Sequence, residues 1–131
     1  MSQKEIELIL ARHLASYLAV PVFVADPMGN LVYYNEQAGV VLGHPFEDSE
    51  DLPLYDRLRA LEPKDEAGVP IPVEKLPLAV AVAEQRPVHC RLRIRGLDGV
   101  PRHIEATAFP LIGFGERHAG AMSVFWEIEE G

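Results

Sequence analysis

The chain has 131 residues, 48% of them apolar and 24% charged, with a formal net charge of −8. That length and composition suit one globular domain whose core needs no disulfide or metal, and argue against disorder. The negative charge opposes phosphate backbones, and no apolar run reaches the roughly 18 residues of a membrane span, so neither nucleic acid nor membrane is an expected partner.

The first residues, Met-Ser-Gln-Lys-Glu-Ile-Glu, lack a secretory leader pattern. Residues 2–19 read as an amphipathic helix. Ile6, Leu10, Leu14 and Tyr17 recur at helical spacing, and Ile9, His13 and Leu18 widen the stripe. Ser2 and Glu5 form a capping-box pattern, and Pro21 ends the element. The stripe is broad enough to cover both the domain and a partner. Residues 22–25 follow as a short strand. Asp26-Pro27-Met28-Gly29 is a turn: proline suits its second position, the Asp26 side chain bonds forward, and Gly29 accepts a left-handed backbone. Residues 31–34 return as the second strand of the hairpin. Asn35 is the N-cap of a helix over 36–42, which Gly43 closes.

Residues 44–72 read as irregular, with a turn or two of helix around Leu54, Leu58 and Leu61. A longer helix is expected over 73–85, with Pro77 tolerated in its first turn. Residues 88–95 alternate strictly, and Arg91, Arg93 and Arg95 fall on one solvated face. Gly96-Leu97-Asp98-Gly99 is a turn, residues 100–109 are a strand, and 110–118 are a loop. The last strand, 119–128, is apolar on both faces and therefore central. Helix, two strands, short helices, longer helix and three strands make an α+β domain with a five-stranded antiparallel sheet.

This ordered set resembles the PAS sensory domain. In the first half the family pattern appears as Asp26, Gly29, Leu31, Tyr33, Asn35, Ala38, Leu42 and Gly43. In the second half it appears as Asp98-Gly99, Arg102, Pro110, Gly120 and the strand to Ile128. The segment 71–78 is similar to the entry into the family's long helix, and the resemblance covers about residues 20–128. Many PAS domains end in Asp-Ile-Thr; here the equivalent is Glu127-Ile128-Glu129. The resemblance implies a PAS-like sheet flanked by short helices over 20–131, preceded by an amphipathic helix over 1–19 that caps the domain or dimerises. It further implies a sensor or interaction domain in signal transduction, not an enzyme, that binds a small ligand or a protein partner and modulates dimer geometry. A histidine kinase or other effector is the kind of partner implied. The alternative is a purely structural homodimerisation module with a filled core.

The chemistry-bearing residues narrow this. Flavin-binding relatives place a cysteine shortly after the first core helix, but residues 44–54 contain none; the single cysteine, Cys90, lies in a late strand and reads as a packed small hydrophobe. One cysteine also leaves no disulfide framework and fits a reducing, cytoplasmic setting. Haem-binding relatives present a histidine on or near the long helix; residues 73–85 have none, and His89 belongs to the arginine face. No cofactor is therefore expected. The histidines 13, 44, 89, 103 and 118 lack paired metal spacing, His13 reads as a partly buried structural residue, and the acidic run 47–51 lacks calcium-loop spacing. No nucleophile elbow, phosphate loop or apolar carboxylate pair is present, and Glu105 and Asp26 have strand and turn roles.

What remains is a pocket between sheet and helices, walled by Val24, Leu31, Tyr33, Val41, Leu58, Leu76, Val80, Cys90, Leu92, Ile104, Ala106 and Ala108. If open, it suits an unidentified small molecule, mostly apolar or aromatic; if closed, it is ordinary core. The expected dimer surface joins Ile6, Leu10, Leu14 and Tyr17 of the first helix to Val32, Tyr34 and alternate residues of the last strand.

Overall fold

The computed structural model describes residues 3–45, 54–113, 115 and 117–128, with the side chains of 3–7 and 54 outside the description. The capping box at Ser2, the side chain of Ile6, the acidic run 47–51 and Glu129 therefore lie outside the described residues.

Helix α1 spans Gln3–Tyr17, β1 Val22–Ala25, β2 Leu31–Tyr34, α2 Glu36–Leu42 and α3 Leu54–Arg59. A 3-10 turn at Val73–Lys75 precedes α4 at Pro77–Glu84, and β3 Val88–Arg95, β4 Pro101–Ile112 and β5 His118–Glu127 complete the chain order. The strands form one antiparallel sheet in the order β2-β1-β5-β4-β3. β5 is central, as its two apolar faces require. Gly120 is needed there: its φ is +128°, and a Cβ would run into the Ala25 carbonyl on β1.

The first hairpin follows its side-chain chemistry. Asp26 Oδ1 accepts hydrogen bonds from the backbone N–H groups of Met28 and Asn30, both at 2.9 Å, and Gly29 closes the turn at φ +86°. The return strand is not regular. Val24 pairs with Tyr33 but Ala25 pairs with Leu31, so β2 carries one extra residue. This bulge sends Leu31 and Tyr34 to one face of the sheet and both Val32 and Tyr33 to the other.

Two expected elements change. The helix expected over 73–85 breaks at Leu76, which is extended at φ −72° and ψ 150°. The ring of Pro77 clashes with an α conformation at the preceding residue, so Pro77 starts a new helix. β4 runs past the expected end at 109 to Ile112, and Pro110 pairs with Ala121. β3 has already ended opposite Ala108, so β4 is an edge at that point and its proline costs no ladder bond.

Each sheet face has its own cluster. The inner face, with Phe23, Ala25, Leu92, Ile104, Ala106, Ala121 and Phe125, packs under α2, α3 and α4. The outer face, with Val22, Val24 and Met122, packs under α1 through Ala11 and Ala15. Those two alanines let the helix lie close to the strands. Among the described residues no helix is long and apolar enough to cross a membrane.

Candidate functional site

Between the inner face and the helices lies a cavity of about 50 Å³. Its walls include Phe23, Leu92, Ile94, Ile104, Ala106 and Phe125 from the sheet, Leu58 from α3, and Leu76, Pro77 and Leu78 around the start of α4. Among the described residues, Ser123 of β5 is the one polar residue of the lining and is 4% exposed. Phe23 stacks on Phe125 with centroids 5.2 Å apart and meets Tyr34 edge-on at 5.5 Å. The aromatic wall is thus fixed from both sides.

Of the expected pocket residues, Leu58, Leu76, Leu92, Ile104 and Ala106 line this cavity. Leu31, Val41 and Ala108 belong to the same inner cluster without lining it, Val80 is buried on α4, and Cys90 packs half-buried at the cluster's edge. Burial pushes the Cys90 thiol pKa up. Val24 and Tyr33 sit on the opposite face, under α1. The reason is parity: β1 is apolar at all four positions, so its pattern gave no inward face, and the bulge turned Tyr33 outward. The expected list also lacked Leu42, Leu61, Pro63, Pro77, Leu78 and Ile94, and it missed Phe23, Phe125 and Ser123 because neither β1 nor the last strand declares an inward face. Once β1 has an inward Phe23, the register of β5 makes Ser123 inward as well.

The expected dimer surface divides. Leu10, Leu14 and Tyr17 stand 61%, 55% and 85% exposed on α1, with Ile9 beside them. Val32 packs under α1 of its own chain, and Tyr34 is buried, its hydroxyl donating to the His44 carbonyl at 2.7 Å. Neither the buried Tyr34 nor the α1-covered part of β5 forms open surface. His13 is exposed, because the inward side of α1 is the Ala11–Ala15 line.

Asn35 holds α1 to this scaffold. Its Oδ1 accepts from the N–H of Ala38, capping α2, and from the N–H of Val22, both at 3.0 Å. Its Nδ2 donates to the carbonyls of Ala15 at 3.0 Å and Val20 at 2.8 Å. One buried amide therefore fills its four bonds between the end of α1, the start of β1 and the start of α2.

A second polar cluster lies where β5 leaves the sheet. Arg102 donates from Nε to Glu127 at 3.2 Å and reaches Asp98 from both Nη atoms at 3.4 and 3.5 Å. The N–H of Val100, first, and then Arg102 hold the Asp98 carboxyl below its usual pKa. Leu97 N–H donates to the Leu42 carbonyl at 2.6 Å, and Gly43 gives the space in which Asp98 sits. Glu127 thus reaches the sheet arginine with its longer side chain.

On the outer face away from α1, His89 Nε2 and Glu105 Oε2 are 2.6 Å apart, with Arg91 at 3.7 Å from the same carboxylate. An open groove between α1 and α2 has Arg12 4.7 Å over the Tyr33 ring. Among the described residues no three potential metal ligands cluster.

A family model described as PAS fold matches residues 9–128. No curated protein matches the sequence. Among solved structures, the PAS domain of a Colwellia psychrerythraea protein is similar at 20% identity and a TM-score of 0.64, over 92% of this chain and 97% of that one. A Rhodobacter sphaeroides LOV protein is similar at 15% identity and a TM-score of 0.69, over 98% of this chain and 69% of that one. The LOV domain of a blue-light activated histidine kinase from Erythrobacter litoralis is similar at 19% identity and a TM-score of 0.63, over 86% and 99%. At these identities the likeness is one of fold.

Proposed function

Because the chain belongs to the PAS family, we propose that it is a non-enzymatic sensor or interaction domain of cytoplasmic signal transduction, in which a small neutral ligand in the inner cavity biases the geometry of a homodimer. The cavity carries this reading: it is apolar, lies where three helical elements meet the sheet, and shares Phe23 and Leu42 with the elements that Asn35 ties to α1. Occupancy would shift α2 or β1, and the two carbonyl bonds from Asn35 would pass that shift to α1. The dimer contact is the outward side of α1, with Leu10, Leu14 and Tyr17; a signalling protein such as a histidine kinase would read the resulting helix pair.

The described lining residues do not supply what a flavin needs. A three-ring cofactor with a polar edge and a phosphate tail needs several polar partners and far more space than about 50 Å³. Cys90 lies outside the cavity lining, and its thiol is held protonated by burial. Haem lacks an inward axial histidine among the described lining residues.

The small cavity also favours a second reading. A well-studied cavity that admits benzene measures about 150 Å³, so this one is compatible with a nearly filled core in a purely structural dimerisation module. Native and denaturing mass spectrometry, with light scattering at micromolar concentration, separates the two. A dimer that releases a small molecule on denaturation supports the first reading. A dimer that releases nothing and takes up no small apolar probe supports the second. A monomer overturns the dimer in both.

A further inference from the structure

We infer that the strap Leu61–Lys64 is the door of the inner cavity, and that it opens by peeling away from the edge of β3. The inference rests on the ligand-binding reading above, since a door has a use only if something enters.

The observation is a closed chamber. Every described residue of the cavity lining is buried, so nothing reaches the cavity unless part of its cover moves. Most of that cover is ill suited to moving. The strands are laddered to one another in a single sheet. α4 is buried from Pro77 to Ala81 and packs on β3, β4 and β5. α2 is pinned at its start by Asn35 and at its end by the Leu97 N–H, which donates to the Leu42 carbonyl.

The strap differs. Leu61 and Pro63 turn inward and line the cavity, while Glu62 and Lys64 are exposed. Among the described residues three backbone bonds hold it to β3. Lys64 and Arg93 exchange two of them, both at 2.8 Å, and the Arg95 N–H donates to the Leu61 carbonyl at 2.8 Å. These bonds lie at the edge of the sheet, where water can take over the freed groups when the strap lifts. The Glu62–Arg95 contact, at 3.8 Å, joins two side chains that are each more than half exposed and holds little. Glu62 itself sits at φ +48°, a left-handed backbone that a residue with a β-carbon adopts at a cost, and opening relieves it. Beyond the strap the chain turns back as a small hairpin with bonds of its own. The Asp65 N–H donates to the Val69 carbonyl at 2.8 Å and the Ile71 N–H to the Pro63 carbonyl at 3.0 Å. Strap and hairpin can therefore lift as one piece, and the contact of Glu66 with His103 at 2.6 Å is the side-chain tie that releases with them.

Hydrogen exchange and xenon uptake on the full chain test this. Under native conditions the amides of Lys64, Arg93 and Arg95 should exchange together, and faster than the amides that join β4 to β5. Xenon is a single apolar atom that enters dry apolar cavities, and methyl NMR on the cavity residues follows both its affinity and its rate of entry. Glu62→Gly relieves the left-handed strain in the closed strap, so xenon should enter about threefold more slowly. Lys64→Pro removes the N–H that bonds the Arg93 carbonyl, so entry should be about fivefold faster, the size of one neutral hydrogen bond. The affinity should hold in both variants, because the closed chamber is the same. If xenon binds and both variants leave its entry rate unchanged, the door lies elsewhere and the inference falls, while the cavity remains a binding site. Strap amides that exchange only when the whole domain unfolds would overturn it without any variant. If xenon perturbs no cavity methyl in the wild type or in Lys64→Pro, the ligand-binding reading itself fails, and this inference with it.

Discussion

The two faces of the sheet bury their apolar residues in different ways. On the outer face one helix lies close, through Ala11 and Ala15, and the contact with Val22, Val24 and Met122 is tight. That helix then carries a second apolar side, with Leu10, Leu14 and Tyr17, away from its own domain. On the inner face several short pieces, interrupted at Leu76 and Gly43, cover larger side chains and leave a void with a hydroxyl in it. A continuous helix packs without gaps but reaches only one strip of the sheet. A broken cover follows a curved sheet at the expense of close packing. The domain therefore has its spare volume inside and its spare apolar surface outside, joined by the Asn35 amide.

The largest expected effect breaks that join. Asn35→Ala removes four hydrogen bonds, three of them buried, and strands the N–H groups of Val22 and Ala38, at a cost of about 3–5 kcal/mol. Urea unfolding should show a destabilised or unfolded protein. Asn35→Asp sharpens the point: it keeps the acceptor for Val22 and Ala38 but sets a second oxygen against the Ala15 and Val20 carbonyls. Loss of amide protection at the end of α1, with α2 retained, is the hydrogen-exchange pattern expected of it. Equal loss across the whole domain would deny that Asn35 acts as a join.

Next comes the same substitution on the two faces, with opposite signs. Ala15→Val places two methyl groups in a closed contact and should destabilise by about 2 kcal/mol. Ala106→Val places them in the cavity and should stabilise by about 0.5–1 kcal/mol while displacing any ligand. Chemical denaturation measures both. Equal and unfavourable changes would mean that the inner face is as tightly packed as the outer.

Smaller in stability, though not in consequence, is Leu14→Asp or Tyr17→Asp. These side chains are mostly exposed within the chain, so the intrinsic stability of the protomer should move by less than about 0.5 kcal/mol, apart from what the lost dimer contact contributed. Light scattering should nonetheless show a change from dimer to monomer. A wild-type monomer, or a dimer indifferent to both substitutions, would remove the outward side of α1 as the contact.

Local chemistry was the legible part of this sequence. Asp26, Gly29, Asn35 and Gly43 each act within a few residues of themselves, so the first hairpin and α2 follow directly from their side chains. The choice of sheet face was not legible. Val22–Ala25 is apolar throughout, and β5 shows apolar residues on both sides, so neither strand declares which residues look inward. The bulge at Val24 and Ala25 then reverses parity within β2, which placed Tyr33 with α1 and Tyr34 in the core, against expectation. Asn35 was legible as a cap, but its two bonds to α1 depend on where the chain returns, 15 and 20 residues away in sequence. The end of β4 failed for a related reason. A proline reads as a strand breaker unless one already knows that the neighbouring strand has ended.

The smallest effect concerns the polar cluster at the exit of β5. The Asp98 carboxyl is held below its usual pKa, first by the Val100 N–H and then by Arg102, which also holds Glu127. A carboxyl whose pKa is lower in the folded chain than in the unfolded one stabilises the fold above the unfolded value, ~3.9 for Asp. That contribution fades as the pH falls through the folded value. Asp98→Asn should therefore lower the melting temperature slightly at pH 7, and the difference from wild type should fade as the pH falls below the unfolded value and through the lower folded one. Because the Asp98 side chain is 35% exposed, added salt should shrink the neutral-pH difference in part. A difference that persisted in strong acid would place the role of Asp98 in the turn geometry, where its Oδ1 meets the Val100 N–H, and leave Arg102 to hold Glu127 alone.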